Sequence, residues 1–368
     1  MNDDSPPRNE RPTWLLPTPA RRDEPPLAGG LRALLLRLMR GEDLSREDAA
    51  ALLDSLIDGS ATDAQIGAAL VALAMKGETV EELAGMATAM RARALRVSAR
   101  HGRFIDTAGT GSSRAKTFNV STAAAFVIAG AGLAVAKHGS RAATSRSGSA
   151  DVLAALGVNV TASSAVSAAC LDGHNICFMF APLYHGATAR VASVRRELGV
   201  HTTFNLLGPL TNPAGAPRQI VGVWHASLVE KMARTLAALG TQRAWVVHGS
   251  DGLDEVTVAG KTLVGEASGG DVRLFEIAPE DFDLSPAALD GLRGGGAEDN
   301  ARIIRAVLAG ERKGAARSLV IANAAAALHV GGAAEDTHAA ARLAEESIDG
   351  GAALEKLERL IEATNAHE

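Results

Sequence analysis

FIDTAGTGSSRAKTFNVSTAAAFVIAGAGLAVAKHGSR, residues 104–141, decides the fold. Two short apolar runs, FID at 104–106 and LAVA at 133–136, flank the longer TAAAFVIAGAG at 122–132. That is the texture of a strand, a helix and a second strand. The alternation continues with GSADVLAALG (148–157), ICFMFA (176–181), a helical stretch over 187–198, IVGVW (220–224), SLVEKMARTLAALG (227–240) and AWVVHG (244–249). Strands alternating with helices predict an α/β unit whose central sheet is mostly parallel and flanked by helices. In such sheets ligands bind beyond the carboxyl ends of the strands, so the residues after each strand carry the functional information.

Upstream the pattern is different. From about residue 30 to 98 it is helical throughout, and LRALLLRLMR (31–40) carries apolar residues on most faces, as suits a bundle or a dimer interface. Three further helices have plausible starts at Ser45, Thr62 and Thr79; Gln65 and Glu82 stand at capping-box spacing after the two threonines. Gly59 and Gly77 sit where helices stop. Seven of the thirteen prolines lie in the first 26 residues among Arg, Asp and Glu, a composition that predicts a flexible tail over 1–27. The expected organisation is that tail, a small all-helical domain over 28–99 joined by helices near 184–205, and a larger α/β domain over 100–368.

Composition narrows the function classes. The chain has 368 residues, 47% hydrophobic, with a formal net charge of −5. No apolar run approaches the roughly 20 residues that span a bilayer. The mild acidity argues against a protein that coats nucleic acid. Two cysteines, Cys170 and Cys177, are too few for a disulfide framework or a four-ligand zinc site. The tail lacks the apolar core of a signal peptide, so a cytoplasmic location is expected.

Three loops at strand ends carry chemistry. TAGTGSSRAKT (107–117) leads into NVST (119–122) at a helix start, where small residues let backbone N–H groups approach an anion. It fits neither a dinucleotide fingerprint, because Arg114 stands where glycine is needed, nor a P-loop. KHGSR (137–141) followed by SRSGS (145–149) brings a lysine, two arginines and hydroxyls to a second helix start. Two such loops on consecutive strands predict a ligand with two phosphate groups. SDGLDEVT (250–257) offers Asp254 and Glu255, hard oxygen ligands suited to Mg²⁺ shared with phosphates. Taken singly, each loop could be an ordinary turn; together they read as one site.

In this order, these strings resemble the anthranilate phosphoribosyltransferases of tryptophan biosynthesis. The family pattern is GTGGD, N-[VIL]-S-T, KHGN-R with S-x-S-G-S-x-D, FN-[LIV]-LGPL-x-NP and a late DE pair. The chain has GTGSS (109–113), NVST (119–122), KHGSR (137–141), SRSGSAD (145–151), FNLLGPLTNP (204–213) and DGLDE (251–255), a match running from about residue 30 to the C-terminus. The resemblance implies transfer of the phosphoribosyl group of 5-phosphoribosyl 1-diphosphate (PRPP) to the amine of anthranilate. It also implies a homodimer, Mg²⁺ as cofactor, and neither nucleic acid nor membrane as partner. It places Gly109, Ser112, Ser113, Thr117, Asn119, Val120, Ser121, Thr122, Lys137, Ser145 and Ser149 against PRPP. It places Gly109, His138, Ser140 and Arg195 on the anthranilate side, and Ser121, Asp254 and Glu255 at the metal. Lys137 and Arg195 are expected to position substrates and stabilise the leaving group, with no general base assigned.

The departures lie inside the site. Ser112-Ser113 replaces Gly-Asp, removing a carboxylate, while Arg114 and Lys116 add cations, so direct cation–phosphate contacts are expected to substitute in part for metal-mediated ones. Ser140 replaces an asparagine, which predicts a roomier acceptor pocket. Two rivals remain. Pyrimidine nucleoside phosphorylases share the implied fold but not the ordered motifs or the DE pair. A non-catalytic nucleic-acid-binding relative would need a basic face and a damaged metal site.

Overall fold

Side-chain caps set the starts of the first helices. Four of them open the computed structural model, which describes residues 30–98, 100–111, 115, 117–142, 146–289 and 292–366: α1 (Leu31–Met39), α2 (Arg46–Ile57), α3 (Asp63–Lys76) and α4 (Val80–Arg93). The Ser45 hydroxyl accepts from the Asp48 N–H, and Thr62 with Gln65 and Thr79 with Glu82 form reciprocal capping boxes. α2 and α4 cross closely enough that a Cβ on Gly85 would lie 2.1 Å from the Arg46 carbonyl oxygen. The expected tail over 1–27 lies outside the described residues.

The alternating part follows. It comprises β1 (Phe104–Gly109), α5 (Val120–Gly130), β2 (Ala134–Gly139), α6 (Ser149–Ala155), α7 (Ser164–His174), β3 (Ile176–Phe180) and α8 (Ala181–Tyr184). Next come α9 (Ala189–Leu198), α10 (Thr203–Leu210), β4 (Arg218–Gly222), α11 (Leu228–Ala238) and β5 (Arg243–Gly249). The chain closes with β6 (Thr262–Ser268), β7 (Asp271–Ile277), α12 (Ala297–Leu308), α13 (Ala315–Val330), α14 (Thr337–Asp349) and α15 (Ala352–Asn365).

The seven strands form one sheet in the order β3-β2-β1-β4-β5-β6-β7. Pairing is parallel from β3 to β5 and antiparallel from β5 to β7. The mostly parallel sheet expected from the sequence is therefore present, with an added edge hairpin that the alternation pattern does not announce. Its signal is Gly269-Gly270, both at positive φ (61° and 94°), a two-residue connection of the kind that joins antiparallel strands. The chain runs outward from β1 to β3 and then returns to β4 on the other side of β1. The β1–β4 seam is thus the topological switch point, where a crevice opens at the carboxyl ends.

Two apolar clusters hold the layers. One face of the sheet packs Ile105 and Val135 with Phe126 and Ile128 of α5 and Leu328 of α13. The other packs Val221 and Val246 with Leu236 of α11, Leu207 of α10, and Leu52 and Leu83 of α2 and α4. Burying each of these leucines contributes about 1.5–3 kcal/mol. The second cluster joins the first four helices to α9, α10 and α11, so the helical layer sits directly beside the switch point.

Candidate active site

Lys137 is a buried cation at the switch point. It lies near the carboxyl end of β2 and is 4% exposed. Its Nζ donates to the Thr107 carbonyl oxygen (2.6 Å), to Thr107 Oγ1 (3.3 Å) and to Ser121 Oγ (3.4 Å), bridging β1 to the start of α5. Burial lowers its pKa, opposed by the negative charge of Asp106 and Glu255. Asp106, fully buried on β1, accepts from the His138 N–H (3.1 Å) and from Asn212 Nδ2 (2.7 Å). Burial pushes its carboxyl up to about 6, although Lys137 and these hydrogen bonds act to lower it.

The 250–257 segment closes over the seam. Gly109 and Gly222 are partners at the ends of β1 and β4. A Cβ on Gly222 would lie 1.7 Å from the Asp254 carbonyl oxygen, and one on Gly109 would lie 3.5 Å from Asp254 Oδ2. Glycine at 222 is therefore what lets the acidic turn reach the strand ends. Asn323 of α13 braces the turn from behind, accepting from the Val256 N–H and donating to its carbonyl, each at 2.9 Å. Glu255 Oε1 accepts from the Ser121 N–H (3.3 Å), so a carboxylate sits on the first turn of α5. Burial and the adjacent Asp254 raise the Glu255 carboxyl to about 8. Asp254, Glu255 and the Ser121 hydroxyl are hard oxygen donors, and this crowding of negative charge is what a divalent cation relieves. The residues fit Mg²⁺.

The second loop is folded tightly onto β2. A Cβ on Gly139 would lie 2.1 Å from Ser149 Oγ, and one on Gly148 would lie 2.5 Å from Ala142 N and the Ser140 carbonyl oxygen. Asp151 holds this turn by accepting from Ala142 N and Gly148 N, both at 2.9 Å, and pairs with Arg141 at 3.0 Å. Part of the positive charge expected on this rim is thereby neutralised. Asn119 ties the two loops together, donating to the Ser147 carbonyl oxygen (3.2 Å) and accepting from Asn300 of α12 (3.0 Å). Thr117 is partly exposed, and Val120 is buried. Thr122 is 1% exposed and its hydroxyl has no partner among the described residues. Ser112, Ser113 and Ser145, with the added cations Arg114 and Lys116, lie outside the described residues.

The helices α9 and α10, with His138 from the end of β2, build the opposite wall. Arg195, on α9, donates to Asn205 Oδ1 (3.2 Å), stacks over Phe204 (5.5 Å to the ring centroid), and leaves a buried Nε without a partner among the described residues. His138, 6% exposed, packs edge-on against His185 (5.2 Å between centroids) and against the Gly208 backbone of α10, with its Nε2 likewise unpartnered. Burial and His185 drive its imidazole down to about 3, so it is neutral at physiological pH. Ser140 is exposed at the loop between the two walls.

The structure thus brings Gly109, Ser121, Lys137, Asp254 and Glu255 together at the switch point. His138 and Arg195 stand along α10, and the hydroxyl of Thr122 is turned inside. Two residues that sequence reasoning missed, Asp106 and Asn212, lie at the centre of this frame. Their signal was their place inside FID and LTNP, next to motif residues.

Comparison with known proteins agrees with this architecture. Residues 32–94 match the helical bundle domain of a glycosyl transferase family, and residues 101–354 match the a/b domain of that family. An anthranilate phosphoribosyltransferase of Moorella thermoacetica is 51% identical over 331 residues, 90% of this chain and 97% of that protein. One from Rubrobacter xylanophilus is 52% identical over 331 residues, covering 90% and 96%. Among solved structures, the anthranilate phosphoribosyltransferase of Thermus thermophilus superposes with a TM-score of 0.85 at 38% identity, covering 90% of this chain and 99% of that one. The Saccharomyces cerevisiae enzyme in complex with PRPP and Mg superposes with a TM-score of 0.83 at 29% identity, covering 91% and 98%.

Proposed function

The chain belongs to the anthranilate phosphoribosyltransferase family, and from that premise we propose how its own residues carry out the transfer. The reaction moves the phosphoribosyl group of PRPP to the amine of anthranilate and releases diphosphate, a step of tryptophan biosynthesis. The observation that carries the assignment of roles is the convergence on Ser121. Its hydroxyl meets the Lys137 ammonium and its N–H meets the Glu255 carboxylate, at the one place where the strand order reverses.

As the bond from C1′ to the diphosphate oxygen lengthens, positive charge builds on the ribose and negative charge on the leaving group. Lys137, held in a dry setting by Thr107, stabilises that negative charge where it develops. Asp254, Glu255 and Ser121 hold Mg²⁺, which when bound neutralises diphosphate charge. Gly109, Ser112, Ser113, Thr117, Asn119, Val120, Ser121, Thr122, Ser145 and Ser149 surround the donor; the buried Thr122 acts through its backbone. Arg195 takes the anthranilate carboxylate, with Gly109, His138 and Ser140 around the ring. The amine lone pair forms the new C1′–N bond as the C1′–O bond breaks and the diphosphate leaves with its electron pair. The amine proton then passes to solvent water or the departing diphosphate. The arylamine brings its own lone pair, so orientation does most of the work and no general base is needed.

Three further parts of the proposal concern the whole molecule. The helical domain spans 28–99 and is completed by the helices near 184–205, which is supported by their shared apolar cluster. The protein is a homodimer joined through α1 and α3, where Met39, Val71 and Met75 stand exposed, Met75 at 84%. Its place is the cytoplasm, as suits an enzyme using PRPP; among the described residues no helix is long and apolar enough to cross a membrane. Steady-state turnover with anthranilate, PRPP and Mg²⁺, followed by the loss of anthranilate fluorescence, tests the function. Product formation that stops on chelation of the metal is expected. No product at any donor concentration would overturn it.

A further inference from the structure

The acceptor and donor walls belong to different layers, so something must set their register. α10 spans the gap, eight residues and therefore about 12 Å long. At its first turn Phe204 and Asn205 hold Arg195, and in its last turn the Gly208 backbone interacts with His138. Just past its last turn Asn212 turns into the sheet. Its Nδ2 donates to Asp106 Oδ2 (2.7 Å) and to the Ala136 carbonyl oxygen on β2 (2.8 Å), while its Oδ1 accepts from the Ala214 N–H (2.9 Å). The second oxygen of the same carboxylate accepts the His138 N–H, one residue beyond Lys137. Asp106 and Asn212 are both 5% exposed or less.

We infer that Asp106 is a positioning residue for the transfer: through Asn212 it pins the end of α10 to the strand that carries Lys137, and so fixes Arg195 against Lys137. Other contacts also hold this end of α10. Arg91 Nε donates to the Leu210 carbonyl oxygen (2.6 Å), Gln219 Nε2 to the Pro209 carbonyl oxygen (2.8 Å), and His185 Nε2 meets the Thr211 carbonyl oxygen (3.1 Å). Those bonds fasten the helix to its neighbours. The Asn212 amide itself reaches the backbone beside Lys137 at the Ala136 carbonyl oxygen; the Asp106 carboxylate orients that amide with one oxygen while its other oxygen holds the His138 N–H on the far side of Lys137. A carboxylate suits this place because each oxygen accepts from a different layer. An amide has one acceptor oxygen and cannot serve both.

The consequence is selective. Loosening the tie leaves both pockets able to bind but misaligns the amine with C1′, and small misplacements of reacting atoms are expensive in rate. The inference rests on Lys137 serving the donor and Arg195 the acceptor. Failure of that assignment shows separately, as an unchanged kcat/KM for PRPP in the Lys137→Ala enzyme and an unchanged anthranilate KM in the Arg195→Ala enzyme.

The test is Asp106→Asn in the full chain, with steady-state kinetics and calorimetric titration of PRPP in the presence of Mg²⁺. Expected is a fall in kcat of at least tenfold, with each KM and the PRPP Kd within about threefold of the parent and binding still near one site per chain. A kcat within twofold of the parent overturns the inference. So does a loss of rate that merely follows a fall in binding stoichiometry, because that is the mark of a folding defect. A PRPP KM that rises as far as kcat/KM falls overturns it as well, by placing Asp106 at the donor alone. If Asp106→Asn does not fold, Asn212→Ser cuts the same tie from the other side and leaves the carboxylate its His138 N–H; it is read by the same criteria.

Discussion

The two walls of the crevice are built differently. On the strand side, Lys137 already has three oxygen partners, Glu255 has the Ser121 N–H, and Asp106 has two donors. On the side that faces α10, Arg195 Nε from α9 and His138 Nε2 from the end of β2 are buried without partners among the described residues. Buried polar atoms normally find partners, so the helix side reads as a wall completed by its ligand and the strand side as one assembled beforehand. On the roles proposed above, the difference suits the two substrates. Charge on a leaving diphosphate changes during the reaction and gains most from fixed, dry charges. A carboxylate on the acceptor keeps its charge throughout and needs only to be held.

Lys137→Ala should break the comparison most severely. It removes the fixed cation from the strand wall, and kcat/KM for PRPP should fall by about 10²–10³, roughly 3–4 kcal/mol of transition-state stabilisation. Parallel measurement with varied donor and varied acceptor checks it; an effect confined to a rise in the anthranilate KM would assign Lys137 to the other wall. Arg195→Ala should act on the other side only. Losing a charge-assisted contact to a carboxylate costs about 1.5–3 kcal/mol, so the anthranilate KM should rise roughly 10- to 100-fold while kcat and the PRPP KM stay within about threefold. The smallest effect belongs to the frame behind both walls. Thr79→Ala removes the capping box of α4 and should lower stability by about 1 kcal/mol in chemical denaturation with both KM values unchanged. A shift in the anthranilate KM there would mean that the helical layer tunes the acceptor pocket.

Much of the site was legible because its chemistry is local. The glycines at 109 and 139 and the Lys137-His138 pair stand at the carboxyl ends of β1 and β2, the Asp254-Glu255 turn follows β5, and strand ends are where such sheets bind ligands. The capping boxes at Thr62 and Thr79 were legible for the same reason, since both partners lie within four residues. The β6–β7 hairpin was readable in principle from Gly269-Gly270, but its antiparallel pairing runs against the alternation that dominates the chain. Asp106 and Asn212 were not readable as a pair. They lie 106 positions apart, and each on its own looks like an ordinary polar residue beside a strand or turn.

Sequence alone determined the alternation of strands and helices, the family, and the kinds of side chain that reach the crevice, because periodicity, caps and ordered motifs act over short stretches of chain. Tertiary structure alone decided which of those side chains are paired and which are left waiting. It seats the Glu255 carboxylate on the first turn of α5, turns the Thr122 hydroxyl inside, and joins Asp106 to the end of α10. The reason is physical. Hydrogen bonding and the electrostatics of buried charge depend on distance and on exclusion of water, and both arise only when the layers close on one another.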